Sequence, residues 1–415
     1  MNNFVKSFAI GITVTATMAA TNLRAQDVSQ DQGNGAPVLS MDQVREKITE
    51  YKPGESHLMI VGLTTVGFVT EKNDFTPTGG IKTTAKASSL GDADRYEFSP
   101  MFLWRQSNKV LLEFEPSYTG GPTLGVNWAD VSFFAAPGCI IRAGYFVVPF
   151  GIYSKRLAAG WINKLGSDPV GMDMPGSDFG VEVEGGFPLG SMKWSYDVAI
   201  TNGFQMDSTG QVSNVGIQSP NPNKTISGRL ALLPLSNSSL EIGVSALGGN
   251  LYTAPGTIPV SYNNPTMNMY AVDLSYYKKL GNITVNVRAQ YQTQTINQQN
   301  LPRVDTPSQT YTFNNVVNSG FAQLSIRPTG LENKLRNLEL GYRYVTHTAP
   351  KESLFGQNWS ESDVALCYWL SWRQVVKLCY ESISNSTYDL PAQGVTGVGG
   401  QGVTNRLIVQ FSTEL

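Results

Sequence analysis

The chain has 415 residues, with 30 Lys and Arg against 32 Asp and Glu, for a formal net charge of -2. That near-neutral balance leaves no electrostatic footprint for nucleic acid or for an anionic membrane surface. Three cysteines cannot build a disulfide framework, and two histidines leave little for metal or histidine chemistry, so no cofactor is expected.

In chain order, Lys6 precedes the apolar run "FAIGITVTATMAA", followed by "TNLRAQ". This is the pattern of a secretory signal peptide over residues 1–25, with Ala25 the last residue removed. The run falls short of the ~20 residues a membrane-spanning helix needs. Residues 26–56 form a polar leader. Within it "SMDQVREKITEY" has helical spacing: Ser40 caps, Asp42 suits the first turn, and Val44, Ile48 and Tyr51 share a face. So short a helix is expected to pack on a barrel end or a neighbouring subunit, or to be only marginally stable.

From His57 to the end, residues 57–415, the pattern has period two. In "YEFSPMFLW", Tyr96, Phe98, Phe102 and Trp104 oppose Glu97 and Ser99, and Arg95 and Arg105 flank on the polar side. In "KVLLEFEPSY", Val110, Leu112, Phe114 and Tyr118 oppose Glu113, Glu115 and Ser117. "GNITVNVRAQYQTQ" and "NLELGYRYVTH" read the same way, placing Arg288, Glu339 and Arg343 on the polar face. About sixteen such segments follow, near 57–71, 93–106, 109–118, 122–135, 139–149, 177–187, 191–202, 224–234, 239–248, 267–279, 282–294, 311–327, 336–348, 361–371, 375–384 and 404–415. With 18 Tyr, 18 Phe, 7 Trp and 41 Gly and few charges, the composition agrees.

The connections alternate. "SN", "APG", "PLG", "LSNS", "LG", "PTGLENKL" and "WRQ" follow even segments, whereas 72–92, 150–176, 203–223, 249–266, 295–310 and 385–403 are long polar stretches after most odd ones, the exception being the short "TGG" after the third. A soluble sandwich has no reason for that alternation. The expected fold is all-β: a transmembrane antiparallel β-barrel of about sixteen strands with short periplasmic turns and long extracellular loops, in the outer membrane. Lipid offers no hydrogen bonds to an open sheet edge, so the first and last strands are expected to pair. The last segment, "NRLIVQFSTEL", turns Leu407, Val409, Phe411, Thr413 and Leu415 to lipid.

A three-residue turn centred on Arg373 is expected to pair Leu370 with Val376, Tyr368 with Leu378 and Leu366 with Tyr380, keeping Lys377 off the oily face. It sets Cys367 opposite Cys379 on the inner face, either as a disulfide or as two small lumen residues. Two strands break the pattern. "LGVNWADVSFF" puts Asp130 on the side of Leu124, Val126 and Trp128, and "CIIRAGYFVV" is apolar on both faces. A bulge, a subunit contact and an inward-packed loop each account for this.

A water-filled barrel selects solutes at its constriction. The candidate element is the loop "GIYSKRLAAGWINKLGSDPVGMDMPG", residues 151–176. Its Ile152, Leu157, Trp161, Ile162 and Leu165 are poorly placed in open water. Folding inward would pack them on the wall and carry Lys155, Arg156 and Lys164 into the lumen; the alternative is a loop over the mouth or gripping a neighbour. Inward by parity are Arg95, Arg105, Arg142, Arg288, Arg343 and Lys377, and the guanidinium groups of the arginines suit oxyanions. Glu97, Glu113, Glu115, Glu182, Glu184, Glu241 and Glu339 also point inward, as a solvated lining would. The competing readings are a hydrolase using a rim histidine, His57 or His347, and a structural or adhesion barrel with a closed lumen.

Residues 141–165, "IRAGYFVVPFGIYSKRLAAGWINKL", resemble the phosphate-selective porin O and P family through Gly144, Phe146, Pro149, Phe150 and Gly151. The resemblance implies a sixteen-stranded barrel, a homotrimer, passage of small anions, and Lys155 and Arg156 in the constriction loop. The expected function is therefore a porin passing small hydrophilic solutes across a lipid bilayer, with a preference for anions such as phosphate.

Overall fold

The computed structural model describes residues 57–90, 96–157, 159–160, 162–172, 175–215, 222–253, 265–297, 300–332, 334–391 and 394–414. The expected signal peptide and leader helix, Arg95, Trp161 and Leu415 lie outside the described residues.

The strands are β1 (His57–Pro77), β2 (Thr83–Leu90), β3 (Tyr96–Arg105), β4 (Val110–Ser117), β5 (Gly125–Ala136), β6 (Cys139–Val147), β7 (Ser177–Leu189), β8 (Met192–Thr201), β9 (Phe204–Met206), β10 (Val212–Asn214) and β11 (Thr225–Leu233). They continue with β12 (Leu240–Asn250), β13 (Thr266–Leu280), β14 (Ile283–Ile296), β15 (Leu301–Pro302), β16 (Thr310–Tyr311), β17 (Asn315–Arg327), β18 (Leu338–Thr348), β19 (Gln357–Ser371), β20 (Gln374–Thr387) and β21 (Gly400–Glu414). One helical turn, α1 (Tyr153–Arg156), stands between β6 and β7. The pairs β9–β10 and β15–β16 are small hairpins within long loops.

Among the described residues, the remaining strands close into a sixteen-strand antiparallel barrel in which each pairs with its sequence neighbour. Closure runs from Leu63↔Glu414 to Pro77↔Gly400 between β1 and β21, which leaves no open edge to face lipid. The other edge of β1 carries β3 over His57–Val66 and β2 over Phe68–Phe75. The polar stretch expected over 72–92 is thus mostly ladder, a hairpin standing on the barrel. Its strand reads "TTAKASSL", with no apolar stripe to announce it, and is exposed on both faces. Asp74 ties it together, accepting from Lys72 at 2.7 Å and Thr84 at 2.6 Å.

Side chains alternate as the period-two reading requires. Trp104, Phe133, Val181, Leu230, Val272, Tyr344, Leu366 and Leu407 are exposed on the outside, whereas Glu113, Arg142, Glu182, Asp273, Arg343 and Lys377 are buried within. The two irregular strands have separate causes. A bulge between Glu115 and Pro116 on β4 sets Glu115 opposite Trp128 and Pro116 opposite Val126, leaving Asn127 as the extra residue. Beyond it the inward parity changes, so Trp128 and Asp130 turn inside together and the indole donates to the Asp130 carboxylate. The apolar inner face of β6 is covered by the loop that follows: Phe146, Val147, Ile152, Tyr153, Leu157 and Leu165 belong to one buried cluster.

The hairpin at Arg373 differs from expectation. Ser371 pairs with Gln374 around a two-residue turn, and a bulge at Leu370 then sets Trp369 opposite Val375, Tyr368 opposite Val376 and Leu366 opposite Leu378. The bulge, not a longer turn, keeps Lys377 inside. It also sets Cys367 opposite Lys377 and Cys379 opposite Ala365, and both thiols are free and buried.

Candidate pore constriction

The loop between β6 and β7 enters the barrel at Pro149-Phe150-Gly151. Phe150 is buried in a second apolar cluster with Phe204, Met206, Leu247, Leu251 and Met269, which fixes the point of departure. Gly151 has φ +64, and a Cβ there would lie 2.4 Å from the Gln290 side chain, so glycine alone fits. Its N–H donates to Ser245 Oγ at 2.9 Å, and the N–H groups of Ile152 and Tyr153 donate to Gln290 Oε1 at 2.7 and 2.9 Å. These bonds start α1 against β12 and β14, and α1 delivers two cations in succession.

Lys155 Nζ donates to Glu182 Oε1 at 2.6 Å, Glu184 Oε2 at 3.0 Å and Asp197 Oδ1 at 2.9 Å. Glu184 and Asp197 face each other across β7 and β8, and Glu182 lies two residues along on the same face. Burial alone would pull the ammonium's pKa down; the three carboxylates outweigh it and hold the proton above the usual lysine range. Arg142 sits behind, donating to Glu182 at 2.9 Å and Glu184 at 3.1 Å, with Asp130 at 3.4 Å and Glu113 at 3.7 Å. Arg156 Nη1 donates to both oxygens of Glu241, at 2.6 and 2.7 Å. Glu241 also accepts from Arg229, which donates to Asp273 at 2.6 and 3.0 Å. Arg156 and Glu241 keep contact with water, their side chains being 26% and 14% exposed.

The loop then crosses to the opposite wall. Lys164 lies 4.3 Å over the Trp369 ring and 3.8 Å from Glu339. Burial holds its ammonium below the usual lysine pKa, with Glu339 opposing. From there the backbone is read by the wall: the carbonyls of Ile162, Leu165, Gly166, Ser167 and Gly171 accept from Arg288 at 3.3 Å, Lys377 at 2.9 Å, Gln410 at 3.2 Å, Arg343 at 2.8 Å and Gln292 at 3.0 Å. Contacts running from β7 round to β21 place this segment across the lumen, not over the mouth.

Of the basic residues expected at the constriction, Lys155, Arg156 and Lys164 are on the loop, and Arg142, Arg288, Arg343 and Lys377 meet it or its partners. Arg105 stands apart at the short-turn end, donating to the Asn108 carbonyl at 2.6 Å and stacking 4.2 Å over Phe134. Arg142, Lys155, Arg156 and Arg343 are matched by carboxylates, Arg343 donating to Asp363 at 2.8 Å and to Glu361 at 3.0 Å, whereas Arg288 and Lys377 donate to loop carbonyls. The carboxylates that do the matching, Asp197, Asp273, Glu361 and Asp363, are the residues sequence reading passed over. Their inward parity was available, but their partners were set by cross-strand register.

His347 Nδ1 lies 2.9 Å from Ser319 Oγ, a serine–histidine contact of the kind a hydrolase needs. Ser319 is only 2% exposed, however, and Gly171 of the loop lies against the pair: a Cβ on it would come within 2.4 Å of His347 and 2.7 Å of Ser319. The contact anchors the loop and offers no approach to a substrate carbonyl.

A closed barrel with an apolar exterior and a charged interior crossed by its own loop defines the class: this chain is an outer-membrane β-barrel. No family model matches the sequence, and no curated protein does. Among solved structures, OmpF of Salmonella typhi, in complex with daunomycin, is similar over 85% of this chain and 97% of its own, at 13% identity and a TM-score of 0.50. The outer membrane channel DcaP of Acinetobacter baumannii is similar over 88% of this chain and 99% of its own, at 10% identity and a TM-score of 0.50. At these identities the likeness is one of fold.

Proposed function

We propose that the protein is a porin through which small hydrophilic solutes diffuse passively, and that its path runs beside the Arg156–Glu241 pair with little preference for either sign of charge. The observation that carries this reading is the compensation of the loop's cations. Lys155 is shared among three carboxylates and Arg156 is held by both oxygens of Glu241. Glu241 offsets the guanidinium's charge through Nη1, which weakens its pull on a passing oxyanion. The anion preference implied by the family resemblance would need an unmatched cation facing water, and Arg156, which has water contact, is matched by Glu241. The same reading has three copies assembled in the membrane, which cross-linking followed by mass measurement checks.

The test is planar-bilayer recording of the purified protein together with swelling of liposomes in uncharged sugars. Discrete ohmic steps and swelling that slows with sugar size are expected. Absence of both would favour the closed structural barrel.

A further inference from the structure

Two carboxylate trios line the wall where the loop meets it. In the first, Glu182, Glu184 and Asp197, the Lys155 ammonium sits among the three. The second is built alike: Asp363 on β19 faces Glu381 on β20 across the ladder, and Glu361 lies two residues along. All three are buried, and one oxygen of each lies within 4.8 Å of the other two. Here the local cation stands to one side. Arg343 donates to Asp363 Oδ2 at 2.8 Å and to Glu361 Oε1 at 3.0 Å, and the Ser167 hydroxyl donates to Glu381 Oε1 at 2.5 Å. Glu361 Oε2 and Asp363 Oδ1 remain buried with no hydrogen-bond partner. Such oxygens are costly unless a cation or a proton meets them.

We propose that Glu361, Asp363 and Glu381, with the Ser167 hydroxyl, form a divalent-cation site suited to Ca2+. The donors are all hard oxygens, the ligand type Ca2+ takes at about 2.3–2.6 Å, and two oxygens on opposite sides of one such ion stand about 4.8 Å apart. Charge agrees: three carboxylates gather about the Arg343 guanidinium, and Arg406, which pairs with Glu71 at 3.1 Å, reaches Glu381 at 4.0 Å, so the trio keeps an excess of negative charge that a divalent ion offsets. The ion would do for β19 and β20 what Lys155 does for β7 and β8, pinning the returning arm of the loop through Ser167. The inference rests on the docking of the loop and is independent of what passes through the barrel.

The test uses the full-length folded protein in detergent, stripped with EGTA and titrated with CaCl2 by calorimetry. One Ca2+ per chain is expected, with affinity at least tenfold weaker in Glu361→Gln. Asp74→Asn, in the hairpin of β1 and β2, should bind as the wild type does. No binding by the stripped wild type overturns the proposal and leaves a shared proton on the two carboxylates instead. Binding undiminished in both Glu361→Gln and Asp363→Asn overturns it too, by placing the ion elsewhere. Hydrogen exchange needs no substitution: Ca2+ should slow exchange selectively around Ser167 and in β19 and β20, and an unchanged pattern there refutes the site.

Discussion

Replacing Lys155 with Met removes the one ammonium that three carboxylates share while keeping most of the side-chain volume. Glu182 and Glu184 retain Arg142, but Asp197, buried and facing Glu184, loses the contact made at 2.9 Å. Taking one partner from a buried ion pair costs about 3–5 kcal/mol, because the remaining charges stay in a dry site. The penalty falls on the docked loop and not on the ladder of the barrel. At about 1.4 kcal/mol per factor of ten, the ratio of docked to released loop falls by about 10²-fold to a few thousand-fold at neutral pH. Trypsin should then cut after Arg156 or Lys164 in a protein whose barrel still resists heat in detergent. Bilayer currents should become noisy as the loop moves in and out of the lumen. Wild-type protease resistance and quiet currents in Lys155→Met would refute the argument that this ammonium holds the loop.

Glu241→Gln leaves Arg156 in contact with water and weakens its partner, so the reversal potential in a KCl gradient should move towards chloride selectivity, while Arg156→Gln moves it the other way. Gly171→Ala should displace the loop without unfolding the barrel, because φ +76 is unfavourable for alanine and the methyl would meet His347 and Ser319; conductance histograms should broaden. Burial keeps the Lys164 ammonium below the usual lysine value, so its charge is lost earlier than an ordinary lysine's as pH rises. Selectivity should therefore drift towards cations in the alkaline range below about pH 10, and Lys164→Met should remove that drift.

Much of the barrel was legible because period two is visible in a single strand: the outward face of Leu338, Leu340, Tyr342 and Tyr344 needs no partner to be read. What escaped depended on two strands at once. The bulges at Asn127 and Leu370 are decisions of register, and a hairpin read by parity alone satisfies Lys377 equally well with a longer turn or with a bulge. The hairpin of β2 escaped for another reason, having no apolar face to bury. At the site, Lys155 and Arg156 stood out as cations on a long loop with apolar neighbours. Their compensation did not, since Asp197 faces Glu184 only once β7 and β8 are paired, and Glu361, Asp363 and Glu381 meet only through β19 and β20.

The reversal potential of the wild-type channel in a KCl gradient decides whether solutes diffuse passively past a charge-compensated constriction. Steady ohmic steps that reverse close to zero are predicted. A protein that gives no steps, or one whose current reverses near the chloride equilibrium potential, would contradict it.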